Sequence, residues 1–128
     1  MANYPGAKQP KMTELTFYHN PRCSKSRAAL ELLEGRGLTP TIVRYLETPP
    51  TSTELQSVLG KLGIAPRQLL RTGEDEYKQL NLADTSLSDG QLIDAMVAHP
   101  RLIERPILIA GDAAAVGRPP EKILEILP

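Results

Sequence analysis

The chain predicts an α/β fold: a βαβ half and a ββα half, separated by an all-helical block. Three observations carry this. The first is a short β-rich run, Leu15-Thr16-Phe17-Tyr18, which hands over to a helical pattern from Ser24 and then to a second β-rich run, Thr41-Ile42-Val43-Arg44-Tyr45. The second is a switch to helical spacing at Pro49-Pro50 that lasts to Pro100. The third is Gly111-Asp112 between an apolar strand and a small-residue strand, the two-residue hairpin signature of a type II′ turn.

Each element has a local reason. Ala29, Leu30 and Leu33 share one face of the first helix, and Gly35 and Gly37 end it. A strand–helix–strand unit of this kind makes its two strands parallel through a right-handed crossover. In the helical block, Thr51 followed by Glu54 is a capping box ahead of Leu55, Val58, Leu59 and Leu62. Pro66 suits a helix first turn before Leu69-Leu70-Arg71, and a short helix is expected over residues 74–80. Ser88 with Gln91 is a second capping box, ahead of Leu92, Ile93, Met96 and Val97, and Pro100 ends that helix. Pro106-Ile107-Leu108-Ile109 reads as the third strand and residues 113–116 as its antiparallel partner. Pro119-Pro120 opens a last helix carrying Ile123, Leu124 and Leu127 on one face. A βαβ plus ββα core is the thioredoxin-like arrangement. The expected organisation is therefore a flexible extension over residues 1–11, with Met12 as an alternative start, then a single thioredoxin-like domain over 12–128 with a helical subdomain inserted at about 49–100.

Composition narrows the function. At 128 residues the chain suits one domain, and its 15 basic and 15 acidic residues cancel, which disfavours a generally basic nucleic-acid binder. No apolar run approaches the roughly 20 residues needed to span a bilayer, and the first residues hold no apolar signal-peptide core. With Cys23 as the one cysteine, an intramolecular disulfide is impossible, and a cytoplasmic location is the simplest expectation. Cys23, His19 and His99 do not have the spacing of a metal site, so no metal and no bound cofactor are expected.

Cys23 is the candidate nucleophile. It sits where a strand gives way to a helix, so the unpaired N–H groups of the first turn and the helix dipole favour its thiolate. Arg27 returns to the same face four residues on, and Arg22 and Lys25 add positive charge. The competing reading of a lone cysteine is a small buried hydrophobe. Pro, Arg, Ser and Lys around it make a poor core environment. His19 has two readings, as support for the thiolate or as a loop residue satisfying backbone groups. Arg71, Arg105 and Arg118 each read singly as surface charges. Converging on Cys23, they would hold a doubly charged tetrahedral oxyanion, because Arg–oxyanion pairs are strong and directional. Arg105-Pro106 stands where thioredoxin-like folds keep a cis-proline, so this peptide bond is expected to be cis.

His19-Asn20-Pro21-Arg22-Cys23-Ser24-Lys25-Ser26-Arg27 resembles the H-x3-C-x3-R signature of the glutaredoxin-coupled arsenate reductases. Leu69-Leu70-Arg71, Gln91-Leu92-Ile93-Asp94, His99-Pro100, Ile103-Glu104-Arg105-Pro106-Ile107 and Gly117-Arg118-Pro119 are similar to that family's later landmarks, in order, so the resemblance runs from Leu15 to Pro128. It implies that Cys23 attacks arsenate to form a thiol–arsenate adduct, and that Arg71, Arg105 and Arg118 bind the oxyanion. It further implies that His19 and Arg27 keep Cys23 ionised and that Ser26 lies near the thiolate, able to donate a hydrogen bond to it. Glutathione would be the co-substrate, glutaredoxin the partner that resolves the mixed disulfide, and arsenite the product. The absence of a second cysteine fits this scheme, since an external thiol is then obligatory for multi-turnover reduction. The match departs at Ser24-Lys25, where Gly-Thr is usual, and at Arg22, where a small residue is common. The alternatives are another glutathione-linked thiol/disulfide oxidoreductase, since Cys23-Ser24-Lys25-Ser26 has C-x-x-S spacing, or an Spx-like transcriptional regulator.

Overall fold

The computed structural model describes residues 14–127, and the extension expected over 1–11 lies outside them. The described chain forms two compact units. One comprises Arg44–Glu104. The other comprises the segment up to Val43 together with that from Arg105 onward.

The second of these holds the sheet. β1 is Leu15–Tyr18, α1 Ser24–Gly35, β2 Thr41–Val43, β3 Ile107–Ala110 and β4 Ala113–Val116. The strand order is β2-β1-β3-β4. β1 runs parallel to β2 and antiparallel to β3, and β3 runs antiparallel to β4. This is the thioredoxin-like arrangement that the strand–helix–strand and hairpin patterns predict.

The register explains the core. Leu15 pairs with Ala110 and Phe17 with Leu108, so the alternate residues of two central strands point the same way. Together with Ala29 and Leu33 of α1 and with Ile123, they form one buried cluster. Full burial of a Phe or Leu side chain is worth about 1.5–3 kcal/mol each, so these few residues hold α1 and the C-terminal segment on the sheet. α1 ends in a Schellman motif. Gly37 takes φ +77°, its N–H reaches the Glu34 carbonyl, and the Leu38 N–H reaches that of Leu33. In the hairpin, Gly111 takes φ +61°, while Asn81 is the one non-glycine with positive φ among the described residues. A left-handed first position followed by an ordinary second one fits the type II′ turn.

Three expectations are corrected. β2 stops at Val43, because the chain turns there and buries Tyr45. β3 begins at Ile107 and ends at Ala110, since Pro106 has no N–H to give the ladder. The last helix, Pro120–Ile126, is 3₁₀. Pro119 and Pro120 remove two N–H donors from its start, and the Lys122 N–H closes the first turn onto the Pro119 carbonyl three residues back.

Within Arg44–Glu104 lie α2 (Ser52–Leu62), α3 (Pro66–Leu69), α4 (Asp75–Gln79), α5 (Asp89–Ala98) and a 3₁₀ turn, Pro100–Leu102. Both capping boxes are formed. Thr51 Oγ1 accepts from the Glu54 N–H at 3.1 Å while Glu54 Oε1 accepts from the Thr51 N–H at 2.9 Å. Ser88 and Gln91 repeat this at 3.2 and 2.8 Å. Leu55, Val58 and Leu59 of α2 and Leu92, Ile93 and Met96 of α5 are buried. An antiparallel bridge, Leu70 to Ile103, closes the unit. Among the described residues no helix is long and apolar enough to cross a membrane.

Candidate active site

Cys23 is the N-cap of α1, with extended backbone, and it is partly exposed. The loop before it is tied down by Asn20. The Asn20 Oδ1 accepts from the Arg22 N–H at 3.0 Å, and the Asn20 carbonyl accepts from the Cys23 N–H at 3.0 Å. An Asn ahead of a Pro is a turn-former of this kind, a local signal that marks Asn20 as the residue shaping the loop.

Behind the loop is a buried polar pair. His19 and Ser26 are the buried polar residues of the described chain. The His19 Nδ1 lies 2.7 Å from the Ser26 Oγ, which also accepts from the Asn20 N–H at 3.0 Å. The His19 N–H is held by the Val43 carbonyl at 2.9 Å, and its ring lies 5.5 Å from that of Phe17. This gives His19 a structural anchor in the sheet. The Ser26 hydroxyl is engaged with His19 and Asn20, and it is the Ser26 backbone N–H that faces the sulfur.

Burial pushes the Cys23 thiol up. The Ser26 N–H, a hydrogen bond and the charge of Arg105, and the Lys25 N–H outweigh it, so the thiol sits below its ordinary value of 9.0. The structure therefore brings Arg105 to Cys23 itself. Arg27 was expected to support the thiolate; its Nη1 donates to the Pro21 carbonyl at 2.9 Å and braces the loop.

Arg118 lies in the same unit, and its Nε donates to the Arg105 carbonyl at 2.9 Å. Arg105-Pro106 is cis, as expected, and Arg118-Pro119 is cis as well. Between them Gly117 comes against Pro106. A Cβ at 117 would stand 2.8 Å from the Pro106 Cγ and 3.2 Å from the Ile123 Cγ2. In the sequence Gly117 stands only within the Gly117-Arg118-Pro119 landmark; its packing on Pro106 leaves no local pattern, because it depends on the approach of two distant segments.

Arg71 belongs to the unit Arg44–Glu104. Its N–H bonds the Leu102 carbonyl, and the Glu104 N–H bonds the Leu69 carbonyl, which sets the two residues side by side. The Arg71 Nε donates to Glu74 at 3.2 Å and its Nη1 to Glu104 at 2.9 Å. Glu74 also takes Arg101 at 2.9 Å. Its own burial opposes ionisation, but the two arginines prevail and hold its carboxyl below the usual range. Among the described residues no group of three or more His, Cys, Asp or Glu side chains could hold a metal ion.

A nucleophilic thiolate with a guanidinium at the sulfur is suited to attack an electrophilic centre that carries anionic oxygens. Comparison with known proteins points the same way. A family model described as the ArsC family matches residues 18–126. The uncharacterized protein YfgD of Escherichia coli K12 is 53% identical over 115 residues, covering 89% of this chain and 97% of that one. An arsenate reductase of Haemophilus influenzae is 53% identical over 112 residues, covering 87% and 97%. The solved structure of an arsenate reductase from Vibrio cholerae is similar with a TM-score of 0.87 at 50% identity, covering 89% of this chain and 98% of that chain.

Proposed function

This chain belongs to the ArsC family, and on that premise we propose that it reduces arsenate to arsenite through Cys23, with glutathione and glutaredoxin supplying the electrons. The observation that carries the reading is the Cys23 thiol held below its ordinary pKa at a helix N-terminus with Arg105 bonded to it. The thiolate attacks arsenic, an arsenate oxygen leaves as water after protonation, and a thiol–arsenate adduct remains. Arg105 and Arg118 offset the oxyanion's charge, and Arg71 is the third arginine of the set. A glutathione thiol then supplies the second sulfur. The two thiols give up two electrons, arsenic(V) becomes arsenic(III), and the sulfurs are left as a mixed disulfide. Glutaredoxin reduces that disulfide and restores Cys23. His19, Ser26 and Arg27 act by fixing the loop and the first turn from which Cys23 attacks.

The test is NADPH oxidation on adding arsenate to the protein with glutathione, glutaredoxin and glutathione reductase. Arsenate-dependent oxidation that disappears in Cys23→Ser is the expected result. No oxidation, together with cleavage of glutathionylated peptides, would move the assignment to the alternative thiol/disulfide oxidoreductase. Stoichiometric recovery with RNA polymerase would move it to the Spx-like regulator.

A further inference from the structure

Arg105 reaches Cys23 from a segment distant in sequence, immediately before β3, so something must set where that segment lies. Two contacts from the end of β4 do so. The Gly117 N–H donates to the Pro106 carbonyl at 2.8 Å. The Arg118 Nε donates to the Arg105 carbonyl at 2.9 Å. The first contact needs the close approach of Gly117 to the Pro106 ring, since an added Cβ would stand 2.8 Å from the Pro106 Cγ, well inside van der Waals contact. The β3–β4 ladder brings Ile107 opposite Val116, so the two segments leave the sheet together and meet at these bonds.

We propose that Gly117 and Arg118 form a clamp that positions Arg105 against Cys23, so that Arg118 has a second task, holding Arg105, beside its own contact with the oxyanion. This rests on the reading of Cys23 as the nucleophile but not on the identity of the substrate. Both contacts pull on Arg105-Pro106 main chain, one on each carbonyl, and neither involves the sulfur. Arg118 thus acts on Cys23 through Arg105. The titratable and cationic groups of the Cys23 loop and first turn, and of the segments just before β3 and just after β4, are His19, Arg22, Lys25, Arg27, Arg105 and Arg118. Of these, Arg105 is the side chain that lowers the thiol's pKa.

Alkylation of Cys23 by iodoacetamide, followed against pH without any oxyanion, tests this directly. A ligand role or a direct charge effect of Arg118 would leave that profile unmoved in the charge-preserving Arg118→Lys, whereas the clamp predicts a raised midpoint there too, because the Nε contact with the Arg105 carbonyl is lost. The clamp predicts that Arg118→Ala and Gly117→Ala both move the alkylation midpoint upward, in the direction of Arg105→Ala, with circular dichroism unchanged. Arg118→Ala inserts nothing into the packed Gly117–Pro106 contact, so it carries the test even if Gly117→Ala fails to fold. An unmoved midpoint in folded Arg118→Ala or Arg118→Lys, beside a raised one in Arg105→Ala, would overturn the clamp. An unmoved midpoint in Arg105→Ala as well would overturn it together with the role of Arg105. Raised midpoints with no arsenate turnover in the parent protein would leave the clamp standing and remove the substrate.

Discussion

Two helix N-termini in this protein are built in opposite ways. α2 opens with a complete capping box, in which Thr51 and Glu54 satisfy each other's N–H groups. α1 opens with Cys23, which makes no side-chain cap hydrogen bond, and its first turn contains no acidic residue but does contain Lys25. The first arrangement spends the exposed N–H groups on stability. The second leaves the Lys25 and Ser26 N–H groups facing the sulfur, where they favour the anion. An uncapped helix start with a cation in its first turn breaks a local stability rule, and such breaks mark functional positions.

Four substitutions break or sharpen this contrast, from the largest expected effect to the smallest. Cys23→Ser should abolish arsenate turnover and leave the fold intact. Because serine is a good N-cap, it should raise the urea midpoint by up to about 1 kcal/mol of stability. A variant that unfolds would show that the cysteine is core and not nucleophile. Arg105→Ala should raise the arsenate KM by about ten- to a hundredfold, the worth of one charged hydrogen bond of about 1.5–3 kcal/mol. It should also raise the pH at which Cys23 alkylates. The sign follows from Arg105 favouring the thiolate, so its removal returns the thiol toward 9.0 and slows alkylation at neutral pH. An unchanged KM would contradict the oxyanion role.

Thr51→Ala should cost about 1 kcal/mol in chemical denaturation and leave the Cys23 alkylation profile where it was. A changed profile would mean that the two helix starts are not independent. The smallest effect belongs to Lys25→Glu. It should stabilise α1 by about half a kcal/mol through the dipole and slow alkylation at neutral pH, because a carboxylate now stands beside the thiolate. Thermal melts and iodoacetamide rates on the same sample would show whether stability and reactivity move in opposite directions.

A second pair of regions makes the same point for the arginines. Arg71 is gripped by two carboxylates, Glu74 and Glu104, which orient it and offset its charge. The Nε of Arg118 is gripped by a backbone carbonyl, that of Arg105, so this contact ties it to the main chain before β3. Nothing in the separate motifs Leu69-Leu70-Arg71 and Gly117-Arg118-Pro119 distinguishes these two environments. The antiparallel bridge between Leu70 and Ile103 creates the first, and the hairpin from Ile107 to Val116 creates the second. Asn20 is different in kind. Its role in shaping the loop is local, and an Asn ahead of Pro21 was there to be read.

By itself, the sequence determined what depends on neighbours three or four residues apart. The Thr51–Glu54 and Ser88–Gln91 boxes, the Gly37 helix stop, the Gly111 turn and the placing of Cys23 at a strand-to-helix handover are all hydrogen-bond or φ requirements that a few adjacent residues meet or fail alone. Tertiary structure alone decided which partner each distant group found. It set Arg105 on the sulfur, turned the Ser26 hydroxyl toward His19, laid Gly117 on Pro106 and enclosed Arg71 between two glutamates. Those contacts follow from strand register and from which faces are buried together. Register is a property of the whole sheet, and no single stretch of residues encodes it.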